Sequence, residues 1–207
     1  MAKKSLHSIC RWTFNPGKGG FVPGDMRPEW GGKFGTPEMI ELVAKKIRPR
    51  LPKNVRLGLE VHYDSEVNDK SAPAVADALV ANKIHLAMLT PGAHSHFAYG
   101  GVASIDPNER KAAEDLGART VDLVYGALKK AWHPDADKAP SFIIWNGSFG
   151  YDIATVAIRQ MYQNLKESIA GLCKYEKKKG GSLYICFEPK PNEGHPAMLI
   201  PTVASAL

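Results

Sequence analysis

Gly180-Gly181-Ser182-Leu183-Tyr184-Ile185-Cys186-Phe187-Glu188-Pro189-Lys190-Pro191-Asn192-Glu193 is the stretch that decides the fold. Two glycines end a helical run, and an apolar segment of strand length follows, over residues 182–188. Side chains alternate along a strand, so Leu183, Ile185 and Phe187 fall on one face. Tyr184, Cys186, Glu188 and, where the chain stays extended through Pro189, Lys190 fall on the other. A carboxylate and an ammonium thus finish the strand together. Taken alone, such a pair is equally consistent with an exposed ion pair.

Working back toward the amino terminus, strand-length apolar runs recur at residues 8–14, 55–63, 84–90 and 141–146, with helical stretches between them. Thr36-Pro37-Glu38, Ser71-Ala72-Pro73 and Asp106-Pro107-Asn108-Glu109 open three of the helices with a cap residue or proline, where the first N–H groups have no partner. Strict β/α alternation predicts parallel strands joined by right-handed crossovers, hence an α/β barrel or an open doubly wound sheet. The segment after the first strand, Phe14-Asn15-Pro16-Gly17-Lys18-Gly19-Gly20, has the spacing of neither a Rossmann fingerprint nor a P-loop, which disfavours the nucleotide-binding sheet. The whole chain reads as one domain, residues 1–207. Residues 15–35 form a Gly- and Pro-rich loop carrying Phe21, Trp30 and Phe34, a lid or an oligomer contact if it is ordered.

Ligands of parallel α/β folds bind at the carboxyl ends of the strands. Those ends are polar and aromatic here: Trp12, His62, Thr90 with His94 close behind, Trp145-Asn146, and Glu188 with Lys190. In the second strand Leu57, Leu59 and Val61 face the helices, while Gly58, Glu60 and His62 face the other way. A lone histidine is more often a structural side chain than a catalytic one, and a lone tryptophan, such as Trp12, is as often core packing as a binding wall.

Composition excludes several classes. The chain has 207 residues, of which 44% are hydrophobic and 23% charged, as in ordinary globular domains. Lys and Arg exceed Asp and Glu by 27 to 21, but the dense runs, Lys45-Lys46 with Arg48 and Arg50, and Lys177-Lys178-Lys179, fall at helix ends, where cations oppose the macrodipole. No nucleic-acid partner is expected. Three cysteines without a CxxC pair predict neither a disulfide framework nor a zinc ribbon and fit a reducing cytoplasm. No run approaches a membrane span, and Met1-Ala-Lys-Lys-Ser5 leads into no signal-peptide core.

Phe187-Glu188-Pro189-Lys190-Pro191-Asn192-Glu193, followed by Leu199-Ile200-Pro201-Thr202-Val203, resembles the fifth-strand segment of the xylose isomerases, Glu-Pro-Lys-Pro-Asn-Glu and then Leu-Pro-Thr-Val. Trp145-Asn146-Gly147 is similar to that family's Trp-Gly-Gly. His62 matches its second-strand histidine, and Thr90, His94, Phe97 and Gly100-Gly101 follow the order of its third-strand loop. The match is patchy before residue 140 and dense after it. The resemblance implies the first five units of a (β/α)₈ TIM barrel, a metal-dependent aldose–ketose isomerase working by hydride shift, and a homo-oligomer. It implies Glu188 as a ligand of Mg²⁺, Mn²⁺ or Co²⁺, Lys190 as the group on the sugar carbonyl, and His62 as the ring-opening histidine. Trp12, Thr90, His94, Trp145 and Asn146 would line the sugar site.

The sequence departs from the pattern at three places. Tyr63-Asp64-Ser65 stands where the family has an acidic cluster, leaving Asp64 as the displaced carboxylate for orienting His62. Pro91-Gly92-Ala93 replaces an aromatic, and Gly194 follows Glu193. Strands six to eight, with most metal ligands, have no counterpart, so the missing half of the barrel is expected as further polypeptide and the chain alone is expected to be inactive. Two other readings stay open. An apurinic-endonuclease type of metal-dependent barrel needs several histidines, against His62, His94 and His96 near strand ends here. A non-catalytic relative would keep sugar contacts without turnover.

Overall fold

A computed structural model describes residues 5–14, 35–93, 96–97, 99–145, 156–189 and 199–207. The protein is α/β, with its strands in the order of the sequence: β1 (Ser5–Cys10), β2 (Val55–His62), β3 (Ile84–Thr90), β4 (Ser141–Trp145) and β5 (Tyr184–Glu188). The helices are α1 (Thr36–Lys46), α2 (Ala72–Ala81), α3 (Pro107–Tyr125), α4 (Val156–Lys179) and the single turn α5 (Val203–Ala206). Two compact units divide the chain, one of Met1–Leu89 with Leu123–Pro140, the other of Thr90–Asp122 with Ser141–Leu207.

In the first unit β1 and β2 pair in parallel, Ser5 opposite Val55 through Cys10 opposite Glu60. The strand predicted over residues 8–14 therefore begins three residues earlier and ends four earlier, and Arg11–Phe14 tightens into a 3₁₀ turn instead. Arg11 explains the change. Its side chain is buried, and its Nε donates to Thr36 Oγ1 at 3.3 Å, a tertiary contact that local propensity does not encode. On β2 the alternation holds: Leu57, Leu59 and Val61 are buried. Met39, Ile40 and Val43 of α1 and Val75, Ala76 and Leu79 of α2, spaced for single helix faces, complete this core. Each of these Val, Leu, Ile and Met side chains, fully buried, contributes about 1.5–3 kcal/mol, and Ala76 less.

A Cβ at Gly58 would stand 2.7 Å from the Cβ of Ala87, so glycine is what lets the two backbones approach. On the same face Glu60 accepts from Ser8 Oγ and from Cys10 Sγ, the latter at 3.1 Å. Pro37 and Glu38 open α1, and Lys45 and Lys46 occupy its last turn. Before α2 the Asn68 side chain accepts from the backbone N–H groups of Lys70 and Ser71 at 3.1 and 3.0 Å, an Asx turn that does the capping expected of Ser71.

His85 of β3 meets His133 edge to face, with ring centroids 4.6 Å apart. Burial pulls both imidazoles below the ordinary value of 6.5. His133, Arg56 and Arg48 lower His85 further, against a hydrogen bond to the Trp132 backbone. For His133, Asp135 and Asp137 oppose the burial, while Lys138 and Arg56 add to it. Both rings thus take up protons more readily in the unfolded chain, so stability is complete above pH 6.5 and declines as pH falls through 6.5 toward the lowered folded values. We expect a lower melting temperature at about pH 5.5 than at about pH 7.5, and a smaller difference in His85→Gln/His133→Gln. An unchanged difference in the double variant would assign the acid sensitivity elsewhere.

In the second unit β4 and β5 pair in parallel, Ser141 opposite Tyr184 through Trp145 opposite Glu188. Ser182 and Leu183 fall outside β5, because the buried Glu176 of α4 accepts the Leu183 N–H at 2.9 Å before the ladder begins. The chain turns into this contact through Gly181, at φ +64°. Tyr184 and Phe187 of β5 are exposed. Across the helices, the buried Asn164 gives its Nδ2 to Ser104 O at 2.8 Å, and Asp122 of α3 binds Tyr175 Oη at 2.9 Å and Lys179 Nζ at 2.7 Å. Lys177, Lys178 and Lys179 form the last turn of α4, as the charge pattern predicts. Among the described residues no helix is long and apolar enough to cross a membrane.

Candidate functional site

The second strand delivers His62 at its carboxyl end, and the chain then turns back at once. Tyr63 bridges Val67, and the amides of Glu66 and Val67 both donate to His62 O at 3.2 Å. This turn carries the Glu66 carboxylate under the imidazole. Glu66 Oε2 accepts the His62 backbone N–H at 2.8 Å and lies 3.2 Å from His62 Nδ1. The Glu66 side chain is 4% exposed and that of His62 22%, so the carboxylate is the more deeply buried of the pair. A carboxylate at Nδ1 favours the tautomer with the proton on that nitrogen, leaving the lone pair on Nε2.

Trp12 covers one side of this histidine, edge to face with centroids 4.5 Å apart. The 3₁₀ turn that replaces the end of the first strand positions it, and the preceding residue, Arg11, anchors that turn. Thr36 accepts from Arg11 and donates through Oγ1 to Glu66 O at 2.5 Å, which ties the start of α1 to the His62 turn. Burial pulls the Arg11 guanidinium below its ordinary value, opposed by the charges of Glu66 and then Glu38. The group is therefore an imidazole facing a buried carboxylate, with an aromatic wall beside it and a buried cation behind the carboxylate.

Sequence reasoning offered Asp64 for orienting His62; a carboxylate that it did not name, Glu66, lies at Nδ1. Asp64 takes a left-handed backbone, φ 71°, is exposed, and donates its N–H to Val67 O at 2.8 Å. The available signal was an acid four residues after His62, but only the tight turn makes that spacing a contact.

In the second unit the parallel register sets Trp145 directly opposite Glu188 at the carboxyl ends of β4 and β5. Trp145 is half-buried, Glu188 exposed and Thr90 buried. The structure thus pairs Trp12 with His62 and Trp145 with Glu188, each within its own unit. His94, Asn146 and Lys190 lie outside the described residues, as do most of the 15–35 loop and Glu193.

Glu188 offers a hard oxygen donor suited to Mg²⁺ or Mn²⁺. Such an ion takes about six oxygen ligands, and among the described residues no group of three His, Cys, Asp or Glu could hold a metal. The described residues therefore do not by themselves form the metal centre that the resemblance implies. No protein-family model matches the chain.

Proposed function

We propose that this chain supplies part of the sugar site of a xylose isomerase-like, metal-dependent aldose–ketose isomerase built on a TIM barrel. The observation that carries the reading is His62 at a strand's carboxyl end, walled by Trp12 and held by buried Glu66. Together with Glu188 and Lys190 in their sequence context, it has the parts that sugar isomerisation needs. His62 Nε2 would take the proton of a ring hydroxyl and return it to the ring oxygen as the sugar opens. Trp12 and Trp145 would exclude water from the carbon skeleton, so that hydrogen passes between neighbouring carbons without exchanging with solvent. Lys190 would meet the carbonyl oxygen, with Thr90, His94 and Asn146 on the hydroxyls and Asp64 at the rim.

The divalent ion would be held by Glu188 together with ligands outside the described residues, in a homo-oligomeric barrel. Cys10, Cys173 and Cys186 form no disulfide among the described residues, which fits work in the cytoplasm. The test is to purify the complete assembly, add Mn²⁺ or Mg²⁺, and assay a panel of pentoses and hexoses for ketose. Ketose formation that depends on the metal is the expected result, and none from any aldose would end the catalytic reading. Sugar affinity without a metal effect and without turnover would instead identify a binding relative.

A further inference from the structure

We propose that a cavity of about 310 Å³ in the second unit, between α3, α4 and β4, binds a primary ammonium ion carried on a small apolar body. Its lining includes Pro91 and Ala93, just after Thr90, and the proposal does not depend on the isomerase reading. Phe142 and Ile144 of β4 form its apolar floor, and Ala113, Gly117 and Ala118 of α3 keep one wall short. Opposite them Gly171 of α4 faces open space: a Cβ built there would meet nothing within 4 Å. No close contact demands that glycine, and its lack of a side chain leaves room for a ring.

Charge supplies the specificity. Ser168 Oγ stands 2.9 Å from Val102 O and 2.7 Å from Glu114 Oε1, and all three residues line the cavity. A hydroxyl has one proton, so Ser168 cannot donate to both acceptors. Neighbouring cations are committed elsewhere: Arg110, one turn before Glu114, gives Nη1 to Ser104 O at 2.8 Å, and Lys111 pairs with Asp115. Tyr175, also in the lining, gives its hydroxyl proton to Asp122. Glu114 is thus a half-buried carboxylate on an apolar wall with no ion-pair partner among the described residues and one contested hydrogen-bond donor. An unpaired charge in such surroundings is costly. An ammonium has three N–H donors and no acceptor, which would satisfy Glu114 and release the Ser168 proton to Val102. A cavity of this size suits an arylalkylamine of about ten heavy atoms.

Isothermal titration calorimetry with phenethylammonium, 2-phenylethanol and 3-phenylpropanoate tests this on the 207-residue chain. The ammonium should bind about tenfold or more tighter than the isosteric alcohol, and the carboxylate should not bind. Glu114→Gln should erase the preference for amine over alcohol while both still bind. Gly171→Leu should abolish both and keep or raise the melting temperature, because it fills open space and replaces a helical glycine; if it lowers the melting temperature, Ala118→Leu blocks the same space from α3. No binding of phenethylammonium, equal affinity for amine and alcohol, or undiminished binding to the filled variants would overturn the proposal.

Discussion

Replacing Glu66 with alanine is expected to destabilise the protein by about 3 kcal/mol, among the largest single-residue losses outside the hydrophobic core. Three contributions converge on this side chain. It accepts the His62 backbone N–H and faces Nδ1, and both donors would lose their partner. It is the leading negative charge set against the buried Arg11, whose guanidinium would keep only the weaker influence of Glu38. Its own burial leaves a void that water fills poorly. Glu66→Gln should cost less, about 1 kcal/mol, because the amide oxygen still accepts from His62 while the charge is lost. Urea unfolding of the two variants beside the parent measures both effects. Equal midpoints for Glu66→Ala and the parent would show that the His62 turn holds without this carboxylate. The same substitution frees the imidazole to rotate away from Trp12, so the His62 ring resonances should lose their contacts to the indole.

Where local pattern and tertiary packing agree, the elements are readable from the sequence. The third strand lies where its apolar run ends, at Ile84–Thr90, and the second divides its faces as period two requires. Helix starts at Thr36 and near Pro107 follow from proline and acid placement. The β1 boundary shifted because Arg11, a polar residue inside an apolar run, is buried against residues 25 and 55 positions away. Nothing local records that. Asn68 took over the cap expected of Ser71 for a related reason: its side chain reaches two amides at once.

The site was legible by residue type and less so by contact. Strand-end reasoning finds His62, Trp145 and Glu188, which close β2, β4 and β5, whereas Trp12 falls in the 3₁₀ turn after β1. It missed Glu66 because that contact depends on the tight turn after His62, in which Asp64 takes a left-handed backbone and the Glu66 and Val67 amides fold back onto His62 O. It also missed the Glu114–Ser168 contact, which depends on the register of two helices 54 residues apart in sequence. One-dimensional periodicity identifies a helix face but not which residue on a neighbouring helix that face meets.

Lys190→Ala should lower kcat by about 10²–10³-fold in the metal-loaded assembly under the proposed reaction, with little change in melting temperature. As hydrogen moves to the carbonyl carbon, negative charge builds on the carbonyl oxygen, and a positioned ammonium stabilises that charge more than it stabilises the neutral ground-state carbonyl. The loss should therefore fall on kcat and kcat/KM together, leaving KM nearly unchanged. The competing account of the same residue, an exposed ion pair with Glu188, makes a different prediction. An exposed pair contributes about 0–1 kcal/mol to stability and nothing to turnover. Lys190→Arg separates the two further, since it keeps the charge and the ion pair but replaces a compact ammonium with a planar guanidinium of different reach. If Lys190 polarises the carbonyl, arginine should restore only part of the rate. If the residue serves an ion pair, both variants should turn over as the parent does, and that outcome would remove Lys190 from the catalytic set.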